Sequence, residues 1–234
     1  MKFLLFLSLL LNSVIQNQII DTKEKGVHFE HLWSVGVGAG RANEGRGLAG
    51  SNRWTFTDIF EERGGGQTPF SGLFGMVNFQ GIVKPSFHAY RMLNQLGDEK
   101  LFYSEPLFVS RHSDSGKITA LAFNYPDEHV DAVPSAKIVD NYMQNASSKK
   151  VDVTLKGLKP GSVFIVETLD KGNGNVFDDY LSIGAPSSLS IQQTSWLKER
   201  AWQTRKEKVT VSQEGTLHID LDLMPWSCVL IDEL

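Results

Sequence analysis

The sequence predicts a short mixed α/β segment followed by an antiparallel β-sandwich, and three observations carry that reading. One strand–loop–helix unit lies between Arg53 and Leu96. Seven short alternating or apolar runs follow between Leu107 and Ile231, separated by turn residues, which is the spacing of a sandwich. A glycine-rich stretch from Gly26 to Ser51, with neither helical nor strand periodicity, precedes both and is read as loop.

The chain opens on Met-Lys-Phe-Leu-Leu-Phe-Leu-Ser-Leu-Leu-Leu-Asn-Ser-Val-Ile15, a positive start followed by an apolar run of signal-peptide length. That run is shorter than the roughly 20 residues of a membrane span. Residues 1–20 are therefore read as a signal-peptide-like leader with Ser13 at the cleavage edge, although no clean small-x-small site follows, and the protein is expected to be secreted or lumenal in the endomembrane system. The sequon Asn145-Ala-Ser147 then becomes a glycosylation candidate, an unmodified loop being the alternative.

Arg53 to Phe60 alternates aromatic or β-branched residues with small polar ones, as a buried strand does, and Glu61-Glu62 stand at its end. Gly64-Gly-Gly66 and Pro69 force a loop. Lys84-Pro85 opens a helix whose Phe87, Tyr90, Met92, Leu93 and Leu96 lie at roughly helical spacing before the Gly97 stop. Beyond it, strands are expected at Leu107 to Ser110, Ile118 to Asn124, Lys150 to Leu155, Ser162 to Leu169, Lys208 to Val211, Thr216 to Leu221 and Cys228 to Ile231. Ser188 to Gln203 reads as one helix packed on the sandwich or against the preceding segment, giving a C-terminal unit over residues 99–234.

Composition narrows the function. With 234 residues, 41% hydrophobic and 21% charged, the chain can bury a sizeable core. Its net charge of −4 and pI near 5.9 give no basic face for nucleic acid, and no membrane contact is expected beyond the leader. The single cysteine, Cys228, excludes an intrachain disulfide and a cysteine-based zinc site; in its apolar run it reads as a buried structural thiol. No cofactor is expected: Gly36-x-Gly38-x-Gly40 lacks a preceding strand and a following helix, so it is not a phosphate cradle. The Asp170-x-Gly172-Asn-Gly-Asn175 segment has too few carboxylates for a calcium loop, and no metal site or Ser-His-Asp cluster is expected anywhere. His88 is read as a packing histidine and Asp58 as a carboxylate that needs hydrogen-bonding partners and orients its surroundings.

The segment Arg53-Trp-Thr-Phe-Thr-Asp-Ile-Phe-Glu-Glu62 with Phe70 to Tyr90 resembles the last strand and helix of the catalytic barrel in glycoside hydrolase family 39, the β-xylosidase and α-L-iduronidase family. His31 to Ala42 is similar to the opening of that barrel. The resemblance implies a remnant of a (β/α)8 TIM barrel over residues 21–98, its opening joined directly to its eighth strand, followed by the sandwich. A whole barrel takes about 200–250 residues by itself. The intervening strands have no room here.

The resemblance also implies a chemistry. Retaining glycosidases use two carboxyl groups about 5–5.5 Å apart, one as acid/base and one as nucleophile. In the family the acid/base follows an Asn near the end of the fourth barrel strand, and the nucleophile Glu closes the seventh. The one Asn-Glu pair here, Asn43-Glu44, lies in the glycine-rich stretch, so no catalytic residue is assigned and the chain is expected to be inactive by itself. What carries over is the glycone subsite: Trp54 as a sugar-face platform and Glu61 and Glu62 as acceptors for sugar hydroxyls, with Thr57 where the family commonly has Ser. Adjacent side chains on an extended segment point oppositely, so one of the two carboxylates at most faces the sugar. Core packing for Trp54 and a solvated loop for the Glu pair are the competing readings. The expected partner is a carbohydrate, a β-xyloside or related glycoside, weakly held. A noncatalytic carbohydrate-binding or protein-interaction sandwich is the alternative function.

Overall fold

The computed structural model describes residues 16–29, 31, 56–59, 68–70, 75–125 and 147–234. Two sheets face each other across the main core. The smaller has the order β1(Gln16–Asp21), β6(Lys149–Lys156), β9(Thr216–Leu223). The larger runs β2(Val27–His28), β3(Glu99–Ser104), β4(Leu107–Arg111), β5(Ile118–Asn124), β10(Ser227–Glu233), β7(Val163–Leu169), β8(Arg205–Thr210) and is antiparallel throughout.

Alternation along the strands decides which side chains meet. In β9, Leu217, Ile219, Leu221 and Leu223 point inward and the residues between them outward. In β6, Val151, Val153 and Leu155 do the same. These two rows close on Leu107, Val109, Ala120, Ala122, Phe164, Val229 and Ile231 of the large sheet. The large sheet is covered on its second face as well: Leu121, Leu169 and Leu230 pack against Met92 and Leu96, on and just beyond helix α1(Pro85–Leu93). Hence β5 is buried at nearly every position rather than at alternate ones.

The seven expected strands are all present, with ends moved by up to three residues. Three more were not anticipated. Gln16–Asp21 runs parallel to β6, so the sandwich is not wholly antiparallel, and the last residues of the leader-like segment lie in this strand. Ile20 enters the main core from it. β2 adds to β3, so the large sheet takes up the opening of the segment expected to be barrel remnant.

Among its described residues the C-terminal unit carries two helices where one was expected. Phe177–Ser182, just beyond the Asp170–Asn175 turn, forms the short helix α2, buried through Tyr180. Ile191–Ala201 forms α3, begun by a capping box in which Ser190 Oγ accepts from the Gln193 amide and Gln193 Oε1 accepts from the Ser190 amide. Leu197 and Ala201 of α3 pack with Val77, Ile82 and Val83, so this helix sits on the barrel-like segment.

The expected buried strand over Arg53 to Phe60 is also corrected within its described part. Thr57 makes an isolated parallel bridge to Val77. Phe56 and Ile59 are 58% and 70% exposed, while Asp58 is buried. The cause is local: a carboxylate that finds two strong donors can be enclosed, whereas apolar side chains stay exposed where none of the described strands covers them.

Candidate functional site

Residues 56–59 and 75–88 form the described part of the region that carries the expected subsite. Asp58 Oδ1 accepts from the Gly75 amide at 2.8 Å and from Lys84 Nζ at 2.8 Å, and Asp58 Oδ2 lies 2.6 Å from the same ammonium. Gly75 must be glycine, because a Cβ there would stand 2.4 Å from the Asp58 backbone nitrogen. The Asp58 amide donates to Val77 O, and the Lys84 amide to Met76 O, so the short segments are laced edge to edge. Asn78, fully buried, ties the turn: its Oδ1 accepts from the amides of Gln80 and Ile82, and its Nδ2 donates to Pro69 O and Gln80 Oε1.

Lys84 has two tasks. Its backbone is the N-cap of α1, with Pro85 beginning the helix, and its side chain neutralises Asp58. The expectation that a charged Asp58 is hydrogen-bonded therefore holds.

From Lys84 the helix carries this region onto the sandwich. His88 donates through Nε2 to Ala201 O at 2.7 Å and meets Phe87 and Trp202 edge-on. Burial lowers its pKa, against the opposing pull of the Ala201 carbonyl, so it is a neutral packing group as expected. One turn on, Arg91 donates to both oxygens of Glu167 on β7, at 3.1 Å and 2.5 Å. Thr204 Oγ1 donates to Glu167 Oε1, and Lys206 Nζ stands 3.6 Å away. Burial by itself would raise the Glu167 carboxyl; the Arg91 and Thr204 hydrogen bonds outweigh it and hold the group below the usual range. Sequence reasoning missed this cluster, although a Glu inside Val163-Phe-Ile-Val-Glu-Thr-Leu169 was a signal that a cation must meet it.

Cys228 is the inert thiol expected: burial pushes it up to about 12, and its Sγ lies 3.6 Å from Met92 Sδ. Asp170 is the plain turn residue expected, accepting from the Gly172 amide and Asn173 Nδ2. On the outer face of the small sheet the structure brings together Asp152, His218 and Asp220, a grouping that the sequence reading did not anticipate. Trp54, Glu61, Glu62 and Asn145 lie outside the described residues, as does Asn43-Glu44.

The fold and this region can now be set against known proteins. The family model described as glycosyl hydrolases family 39 matches residues 25–218. The chain belongs to glycosyl hydrolase family 39. Among its curated relatives, the β-xylosidase of Caldicellulosiruptor saccharolyticus is 30% identical over 180 residues, which is 76% of this chain and 35% of the relative. That of Geobacillus stearothermophilus is 28% identical over 180 residues, 76% of this chain and 32% of the relative. This family 39 chain thus spans about a third of the length of the curated relatives it matches. Among solved structures, a monomeric β-xylosidase from Caulobacter crescentus CB15 superposes with a TM-score of 0.62 at 26% identity, over 80% of this chain and 38% of the other. The family 39 enzyme from Xanthomonas axonopodis pv. citri gives 0.64 over 80% and 37%, at 22% identity, a likeness of fold. These matches fit a partial barrel-like fragment joined to a sheet domain.

Proposed function

We propose that this family 39 chain is the sandwich and last strand–helix unit of a β-xylosidase-type glycosidase, and that as it stands it does not turn over glycosides. The observation that carries this is the absence from the sequence of an Asn-Glu pair at a strand end, the family's acid/base, in a chain covering 35% of its β-xylosidase relative. A double displacement without its two carboxylates forfeits most of an acceleration that is typically about 10⁶-fold or more.

In this reading Asp58, Lys84 and Gly75 hold the strand end so that Trp54 stacks on a sugar face and Glu61 or Glu62 accepts from its hydroxyls. One stacking contact and one or two hydrogen bonds supply about 1–3 kcal/mol, which corresponds to binding weaker than millimolar. The protein is secreted or lumenal, with Asn145 its glycan site, in keeping with the leader-like start. The test is hydrolysis of an aryl β-xyloside by the purified chain, with no turnover above a blank expected. Turnover that is lost in Glu44→Gln or Glu62→Gln would overturn the proposal.

A noncatalytic carbohydrate-binding sandwich is the second reading. It is favoured by Tyr125 and Trp226, half-exposed rings 4.6 Å apart at one end of the large sheet, with Trp226 held at a φ of 60°. Xylobiose shifts mapping to these rings instead of Trp54 would select it.

A further inference from the structure

Asp152 and Asp220 are direct partners across β6 and β9, and Thr154 and His218 are the next pair on the same outward face. The neighbouring row on the other side pairs Lys150 with Asp222, a complementary arrangement. Two carboxylates directly opposite each other repel, so the Asp152–Asp220 row calls for a cation between them. His218 lies where that cation would be shared: Nδ1 is 3.2 Å from Asp152 Oδ1 and Nε2 is 3.5 Å from Asp220 Oδ1. Asp152 Oδ1 is shielded from water and accepts no hydrogen bond among the described residues. Thr154 Oγ1, 3.1 Å from His218 Nδ1, steadies the ring.

We propose that this face binds one divalent transition-metal ion through His218, Asp152 and Asp220. The three ligand atoms lie within 4.8 Å of one another, and His218 and Asp220, 54% and 81% exposed, have room to turn toward a shared ion. One imidazole and two carboxylates form a donor set for Zn²⁺, Ni²⁺ or Cu²⁺; calcium requires about six to eight oxygens, and no such shell surrounds this row among the described residues. The register also puts Asn17 of β1 beside Asp152 on the same face, within the row that a fourth ligand or a water would complete. A bound ion would clamp β9, which among the described residues is an edge strand paired with β6, to the rest of the small sheet. The proposal rests on the sandwich alone and is independent of the glycosidase reading.

Calorimetric titration of the full chain with ZnCl₂, with Cu²⁺ electron paramagnetic resonance as a second readout, tests it. One ion per chain is expected, together with a nitrogen coupling in the Cu²⁺ spectrum. His218→Ala and Asp152→Asn should each weaken binding about tenfold or more, while Asp222→Asn on the same face leaves it unchanged. Free metal at about 100 times Kd should raise Tm by about 5–10 °C in the parent chain and not in His218→Ala. Metal-free Asp152→Asn should melt no lower than the parent, since it relieves a repulsion, so loss of binding there cannot be ascribed to unfolding. No saturable binding below about 1 mM, or binding undiminished in His218→Ala, would overturn the site.

Discussion

Arg91 of helix α1 and Glu167 of strand β7 form a two-pronged ion pair across the junction between the barrel-like segment and the sandwich. It is roofed by Thr204 and Lys206, and one turn earlier His88 bonds to Ala201 of α3, so α1 is fastened at two successive turns, to a helix and to the sheet. Helix α1 of the barrel-like segment is thereby held to the sandwich.

Glu167→Gln or Arg91→Ala should destabilise the chain by about 3–5 kcal/mol, because each leaves a largely buried charge uncompensated. Arg91→Met combined with Glu167→Leu should recover most of that loss. Urea unfolding of the three variants checks the order, and a double variant no better than the singles would show that packing, not charge, dominates the junction.

Acid should weaken the fold through Glu167 and His88. Glu167 is held below its usual range, so its contribution is present above about pH 4.3 and lost as pH falls through its lower folded value. His88 is lowered by burial, so its neutral form favours folding above about pH 6.5 and folding must overcome its protonation below that. Denaturant midpoints measured from pH 7 to pH 4 should fall in the parent and fall less in His88→Gln.

Cys228 should resist iodoacetamide in the native protein at pH 8, since burial pushes its thiol up to about 12, and should react once urea exposes it. Mass spectrometry of the two samples decides it.

Gly97→Ala should be among the costliest small substitutions, because the added Cβ would stand 2.2 Å from the Arg111 carbonyl carbon, a backbone atom that cannot move aside. A loss of about 3 kcal/mol or more is expected in thermal or urea melts.

Ile20→Ala should cost about 2–5 kcal/mol, as for other core truncations, because β1 delivers Ile20 into the main core beside β6. A change below about 0.5 kcal/mol would mean that β1 contributes little to the sandwich.

The seven strands from Leu107 onward and helix α3 were legible because each carries its own signal: period-two alternation as in Thr216–Leu223, or the apolar spacing of Leu189, Ile191, Trp196, Leu197 and Trp202. Glu99–Ser104 was not, since Glu-Lys-Leu-Phe-Tyr-Ser has no clean alternation and becomes a strand only by pairing with β2 and β4. Gln16–Asp21 was hidden for the same reason and by its position behind the leader-like run; its partner in β6 lies more than a hundred residues away. Asp58 was readable as a carboxylate needing donors, but that the donors are Gly75 and Lys84 depends on a turn that Asn78 ties.

By itself the sequence determined the family, the barrel-derived strand–helix signature and the alternating strands of the sandwich, because those rest on local order and on periodicities that each segment carries within it. Only the tertiary structure decided that the sandwich recruits residues 16–28, that Glu167 meets Arg91 and Thr204, and that Asp152, His218 and Asp220 share one face. Those are pairings between distant segments. Strand register and helix docking are set by which apolar faces can be buried together, and that competition is resolved across the whole chain at once.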